Sequence, residues 1–600
     1  MEAHAVPVSV SDNHTYDVLV IGAGFGGLCA GIKLREAGVT NFAILEKADD
    51  VGGTWRENTY PGAGCDVMSL MYSLSFAPNS RWTRMYARQA EILDYLRRTT
   101  NAHDLSGQLR LGREVVSSVF DDATDTWMLR TRGGENYRAR VVIAAPGPLH
   151  VPSVPDFAGR NDFRGVSFHS AEWEHGFDPA GKRIAVIGTG ASAVQFVPQL
   201  AKSAASLSVF QRTPHWVIPK LDRPITRAEH WLFRNLPGAQ KAYRYGIYWS
   251  HEAAIVGFMN PRFMPALESV ARAHLRRQVP DPTLRARLTP DYTIGCKRIV
   301  VASDYYPALQ RPNAELVTSG IERITESGIR TADGTEHRVD AIIYGTGFAI
   351  SDRLADQHLV GARGLTIQQA WRDGMEAYLG VAVHGFPNYF LIMGPNSGGG
   401  NQSIVFVIEA QVRYILECLG LMERTGSSRI EVRRSTQQLF NERIHAKLAG
   451  SVWNSGGCNS WYLDESGKNR AAWPGSSVSY WRRMRNPVPS AFDLSSATGL
   501  EDQVYDGLAT IHIGDDHRGT RVRLTGHLDP IDGRYHWQGT VFDVLGDDVP
   551  KGSLSVRITV GDRTTQARIT ERTPWGSYSI GGVGAPPFAL DDIELTVAVL

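Results

Sequence analysis

The strongest constraint on this chain is a supersecondary pattern that occurs twice. Residues 16–21 (YDVLVI) form a short apolar run that enters Gly22-Ala23-Gly24-Phe25-Gly26-Gly27 and then a helical pattern ending near Gly38. A buried parallel strand, a glycine turn and a helix in that order build a dinucleotide-binding unit. Gly22 permits the tight turn, Gly24 lets backbone approach a pyrophosphate, and Gly27 lets the helix pack on the strand. The helix N-terminus then faces the phosphates with unpaired N–H groups. The next apolar run ends at Glu46, 24 residues after Gly22, suitably placed to accept a hydrogen bond from a ribose hydroxyl.

The pattern returns at residues 183–187 (RIAVI), followed by Gly188-Thr189-Gly190-Ala191-Ser192-Ala193, with alanine in the third glycine place as the motif allows. The following strand pattern reaches Arg212, again 24 residues after the first glycine, so an arginine stands where the first unit has Glu46. A carboxylate there would repel a 2′-phosphate, whereas a guanidinium binds it bidentately, and Thr213 adds a hydroxyl. Two dinucleotides are therefore predicted, the second favouring NADPH over NADH. Residues 141–147 (VVIAAPG) and 341–347 (AIIYGTG) read as the closing strands of the two units. Structured sequence continues beyond Gly347, so the second unit, residues 151–330, reads as inserted in a first made of residues 1–150 and 331–485.

Charge and cysteine usage narrow the function. Lys and Arg number 63 against 62 Asp and Glu, and a net +1 leaves no field to hold a nucleic acid. Cys29, Cys65, Cys296, Cys418 and Cys458 show neither C-x-x-C nor zinc spacing, which predicts no metal site and a reduced, cytoplasmic setting and disfavours a disulfide reductase. No apolar run approaches the ~18 residues of a transmembrane helix. Oligomeric state is left open.

Residues 220–290 are rich in helix formers and aromatics, and a packed helical hairpin is the expectation, with a tunnel lining or a membrane-surface role as alternatives. After the Pro-rich 486–489, seven alternating runs predict an all-β sandwich or barrel over 488–600.

The stretch from Phe163 through Gly165 and His169 to Trp173 fits F-x-G-x-x-x-H-x-x-x-W, and with it the chain resembles the Baeyer-Villiger branch of the class B flavoprotein monooxygenases. The family pattern continues with Pro or Asp, where this chain has Glu174. Three further segments extend the resemblance over roughly 15–485: residues 52–66 (GGTWRENTYPGAGCD) to the flavin loop, 295–298 (GCKR) to the active-site arginine segment, and 394–403 (GPNSGGGNQS) to a loop beyond the second nucleotide fold.

The resemblance implies FAD on the first unit and NADP on the second. It also implies insertion of one oxygen atom from O2 beside a ketone carbonyl through a C4a-peroxyflavin, giving an ester or lactone. A sister class that oxygenates nitrogen or sulfur, and a non-catalytic flavoprotein, are the rivals. Arg298 is the implied partner of developing negative charge, and Lys297 a phosphate or ribose contact. Asp66 either pairs with Arg298 or caps its own loop. Gly53, Thr54, Trp55, Tyr72 and Trp461 join the implied cofactor contacts. His169 and Trp173 would share a face if helical and read as a hinge, with His169 either a core histidine or an acid–base group.

Overall fold

The computed structural model describes residues 14–349, 358–398, 403–495, 505–514, 516–528, 534–542, 554–572 and 577–588. The chain divides into two compact units, the first ending at Leu494 and the second beginning at Ser495. The first is α/β, built round two large sheets of eight and five strands.

In the first sheet, strand Thr15–Ile21 lies between Phe42–Leu45 and Asn136–Ala144, parallel to both. Val18 to Ile21 are buried, as strands covered on both faces must be. Helix Phe25–Glu36 packs over them and against the long helix Ile404–Thr425. The chain leaves this sheet after Ala144 and returns when His358–Val360 pairs with Val115–Asp121 and Tyr389–Leu391 pairs with Asn136–Ala144. The strands of a second sheet thus fall between two parts of the first.

The second sheet is five parallel strands in the order Ala314–Val317, Ser206–Phe210, Arg183–Ile187, Ala341–Tyr344 and Val166–His169. Its fourth strand carries this fold to Tyr344, beyond the expected limit at 330. The polar stretch before it is an excursion, a small antiparallel sheet of Ile321–Thr325, Gly328–Thr331 and Glu336–Arg338. The aromatic insertion is five helices rather than a hairpin: Arg227–Asn235, Ala239–Ala253, Ile255–Met259, Met264–Gln278 and Pro282–Arg287. Gly238, Asn260-Pro261 and Pro280 stand at the breaks.

The second unit is a closed antiparallel barrel of Tyr505–Ile513, Asp516–Leu528, Tyr535–Val541, Tyr578–Val583, Arg563–Arg572 and Leu554–Val560, in that order. Alternate residues such as Ile511, Leu524, Trp537, Ile558 and Ile580 fill its interior. Six strands close it, and the seventh predicted run, 593–600, lies outside the described residues. The boundary also moves from 488: strand Phe492–Ser495 pairs with Arg429–Val432, and Phe492 is buried in the first unit's core.

Candidate active site

Each nucleotide turn opens on a glycine with positive φ whose Cβ position is blocked by backbone. Gly22 has φ +94°, and a methyl group there would stand 2.6 Å from the Ala145 carbonyl oxygen; on Gly27 it would stand 1.7 Å from the Gly22 oxygen. Gly24 faces Gly53 backbone to backbone. No side chain caps helix Phe25–Glu36 and its first turn holds no acid, so the N-terminus is available to a phosphate. Glu46 is buried, with Oε2 accepting from the Ala23 N–H (2.6 Å) and Oε1 from the Ala48 N–H (3.0 Å). These bonds fix its carboxylate beside the turn, where remaining lone pairs can meet a ribose. Thr54 begins the short helix Thr54–Glu57; Trp55 Nε1 donates to Tyr72 Oη at 3.1 Å, both aromatics are buried, and the Tyr72 ring packs on Phe25.

The second turn is built alike. Gly188 has φ +108°, the space over Gly190 is open, and no side chain caps helix Ala193–Leu200 at Ser192. Arg212 follows its strand, and Lys297 comes close enough that burial together with the Arg212 charge lowers the Lys297 ammonium below its ordinary value. Two cations forced together make a site for a multiply charged anion. Lys297 lies over the Tyr292 ring at 5.2 Å, Tyr292 Oη donates to the Pro214 carbonyl (2.9 Å), and Trp216 Nε1 donates to the Tyr292 carbonyl (2.8 Å). These bonds hold Lys297 beside the Arg212–Thr213 segment.

Arg298 and Asp66, 232 residues apart, form an ion pair. Nε (3.1 Å) and Nη2 (2.6 Å) both donate to Oδ2, and Nη1 makes no hydrogen bond among the described residues. The Arg298 side chain is 48% accessible and that of Asp66 23%, while Cys65, Tyr72 and Tyr462 around them are buried. Burial opposes the Asp66 charge, but Arg298, with help from Lys220, outweighs it and leaves the carboxyl below its ordinary value. Asp66 in turn raises the Arg298 pKa, so the guanidinium is charged at any working pH.

Three neighbours had no sequence signal. Lys220 Nζ donates to the Cys65 carbonyl at 3.1 Å. Gln195, on the second fold's helix, takes Gly64 of the flavin loop by both backbone groups (3.1 and 3.0 Å) and accepts from Tyr60 Oη (3.2 Å). Tyr462 is buried within the field of Arg298, while the expected contact Trp461 is 52% exposed, its ring 4.2 Å from that of Tyr462.

Two expectations are corrected. Cys296 and Cys458 form a disulfide, Cα atoms 6.1 Å apart across 162 residues, so not all thiols are reduced; linear spacing could not reveal a pair that folding brings together. This bond ties the Lys297–Arg298 segment to the Trp461–Tyr462 segment. The His169–Trp173 stretch is not helical: His169 ends strand Val166–His169, paired with Tyr344, and a turn follows. Phe163 lies under the second sheet, Gly165 admits no Cβ between Asp340 and the Phe163 ring, and Trp173 packs on Phe168 and Phe196. His169 is buried, its Nδ1 accepting from the Ala171 N–H at 3.1 Å, and burial lowers its pKa to about 4, which leaves the imidazole neutral at neutral pH. Of the 394–403 loop, residues 399–402 lie outside the described residues.

A family described as pyridine nucleotide-disulphide oxidoreductase matches residues 19–239. Baeyer-Villiger monooxygenases of Streptomyces coelicolor and Pseudomonas aeruginosa are each 44% identical, over 78% and 80% of this chain and 90% and 91% of their own lengths. The chain belongs to the Baeyer-Villiger monooxygenases. Among solved structures, an oxidized steroid monooxygenase bound to NADP is 31% identical with a TM-score of 0.73, over 80% of this chain and all of that one. The closed form of cyclohexanone monooxygenase is 30% identical with a TM-score of 0.72, over 81% of this chain and all of that one. In this Baeyer-Villiger monooxygenase the barrel is matched separately, at residues 502–590, by a domain of unknown function, DUF4873.

Proposed function

We propose that the enzyme uses NADPH and O2 to insert one oxygen atom beside the carbonyl of a small-molecule ketone, with Arg298 and Asp66 at the reacting centre. FAD, when bound, supplies dioxygen activation, and NADPH supplies the electrons. Gly22, Gly24 and Gly27, the open helix N-terminus and Glu46 suit the flavin nucleotide, with Gly53, Thr54, Trp55 and Tyr72 beside it. Gly188, Gly190, Ser192, Arg212, Thr213 and Lys297 suit NADPH. Gln195 joins the two sets of residues.

The observation that carries the reading is the Arg298–Asp66 pair. Oxygen insertion develops negative charge on oxygen, and a fixed guanidinium stabilises it without reorganisation. Asp66 holds Nε and Nη2 through one oxygen, which sets the plane of the guanidinium and leaves Nη1 without a hydrogen bond among the described residues. A cytoplasmic site of action goes with the NADPH requirement. The test is a product-resolved screen: the purified protein is yellow, oxidises NADPH faster with a productive ketone, and yields a product one oxygen heavier as an ester. A survey returning only sulfoxides or N-oxides overturns the reading.

A further inference from the structure

The helical insertion carries a second apolar face that internal packing does not use. Along Ala239–Ala253 and into Ile255–Met259, the exposed residues Ala242, Tyr245, Trp249, Ala253 and Val256 recur at intervals of three and four, one stripe of a helix surface. Tyr245 and Trp249 are 53% and 59% accessible, and Trp231 on the preceding helix is 64%. Leu236 in the connection and Phe263 before the next long helix are exposed too. The opposite side does the packing: Ile247 and Phe258 are buried, Arg244 donates to the Leu70 and Ser73 carbonyls, and the Tyr248 ring meets Phe406.

Charge selects what covers this face. Residues 227–278 hold eight Arg and Lys against three Glu, a net +5 within a chain whose total is +1. All three acids are engaged elsewhere: Glu229 pairs with Arg223, Glu252 is buried and accepts from the Ser477 hydroxyl, and Glu268 accepts from the Ile294 N–H. Arg227, Arg234, Lys241 and Arg262 are exposed and form no ion pair among the described residues. A second copy meeting this face about a two-fold axis would oppose like charge to like. Aromatic rings among unpaired cations suit the headgroup boundary of an anionic bilayer. No described helix is long and apolar enough to cross one.

We propose that this face rests the helical insertion on an anionic membrane surface, with Trp231, Tyr245, Trp249 and Phe263 at the headgroup level and Arg227, Arg234, Lys241 and Arg262 against lipid phosphates. The test is co-sedimentation of the FAD-loaded full chain with vesicles of phosphatidylcholine alone or mixed equally with phosphatidylglycerol. Binding is expected only to the anionic vesicles, with a blue shift of tryptophan emission, and weaker by about tenfold in ~1 M salt. Tyr245→Ser with Trp249→Ser, and separately Arg234→Gln with Lys241→Gln, should each weaken it about tenfold while turnover without vesicles is unchanged. Yellow protein that stays in solution with anionic vesicles overturns the proposal, as do both variant pairs binding like the parent. A concentration-dependent dimer dissociated by Tyr245→Ser with Trp249→Ser also overturns it, by assigning the stripe to a second copy.

Discussion

Arg298 and Asp66 divide the reaction into a step that needs their charges and one that does not. Arg298→Ala is expected to keep FAD and still consume NADPH, while ester formed per NADPH falls by about 10²-fold and hydrogen peroxide is released, because the developing charge has lost its counter-charge. Asp66→Ala should be milder, since the cation remains without its orienting partner, and the double variant no worse than Arg298→Ala. Near-native coupling in Arg298→Ala would remove the role given to this arginine. At the second nucleotide, Arg212→Ala should weaken NADPH by ~1.5–3 kcal/mol and leave NADH nearly unaffected; equal losses in the two binding titrations would contradict the 2′-phosphate site. Two histidines, the buried His169 and the half-buried His215, make a prediction about pH. Burial holds His169 near a pKa of about 4, and burial with the Lys297 charge does the same for His215. An unfolded chain protonates both near ~6.5, so stability is full above that pH and declines as pH falls towards about 4, by up to roughly one proton per histidine in slope. Thermal unfolding from pH 7 to 4.5 checks the decline, and His169→Asn, which keeps an acceptor for the Ala171 N–H, should make it shallower. Offsets along the chain could single out Arg212 and Glu46 as candidates because strand, turn and helix keep local register. Tyr462, Lys220 and the Cys296–Cys458 bond could not be read that way, since each meets its partners only through long-range folding.

Among the elements, the glycine turns were the most legible, because sterics alone demand the residue. Gly27→Ala drives a methyl group to 1.7 Å from the Gly22 oxygen, whereas on Gly24 the nearest atom is 3.6 Å away. Gly27→Ala should therefore disturb the turn itself and give colourless, less stable protein. Gly24→Ala should fold and lose flavin affinity only, and flavin absorbance with circular dichroism separates the two outcomes. The Phe163–Trp173 motif was legible as a motif but not as a shape. Its i, i+4 spacing suggested a helix face, yet parallel pairing of Val166–His169 with Ala341–Tyr344 overrides that local pattern. Gln195 shows what a single helix can add: placed in the first turn of helix Ala193–Leu200, it clamps Gly64 through both backbone groups. Gln195→Ala should keep both cofactors bound but slow reduction of the enzyme by NADPH by about tenfold, since each broken hydrogen bond loosens the mutual placement of the two folds. Stopped-flow flavin bleaching without oxygen would measure it, and an unchanged rate would reduce Gln195 to a packing residue.

For the molecule as a whole, the interruption of one sheet by the strands of another could be read from the two closing strands, but where the parts end could not, because boundaries are set by pairing partners far away in sequence. The Pro-rich stretch at 486–489 looked like the junction with the barrel. Instead the chain crosses it to add strand Phe492–Ser495 to Arg429–Val432, with the Arg433 N–H donating to the Ala491 carbonyl (3.0 Å) and Phe492 buried near Tyr378. The barrel beyond has its own closed sheet and interior, from Ile511 to Phe588, which argues for independent folding. Two truncations eight residues apart should therefore behave differently. A chain ending at Ser495 should remain yellow and turn over ketone within about twofold of the full enzyme, because nothing in the first unit's core is removed. A chain ending at residue 487 deletes Phe492 and its strand, and the lost burial of one large aromatic costs about 3–5 kcal/mol, enough to release flavin at lower temperature or prevent folding. Flavin fluorescence on heating distinguishes them. If both truncations are equally stable, Phe492 is dispensable and the junction lies at the prolines. If both are colourless, the barrel completes the flavoprotein core and is not an independent unit.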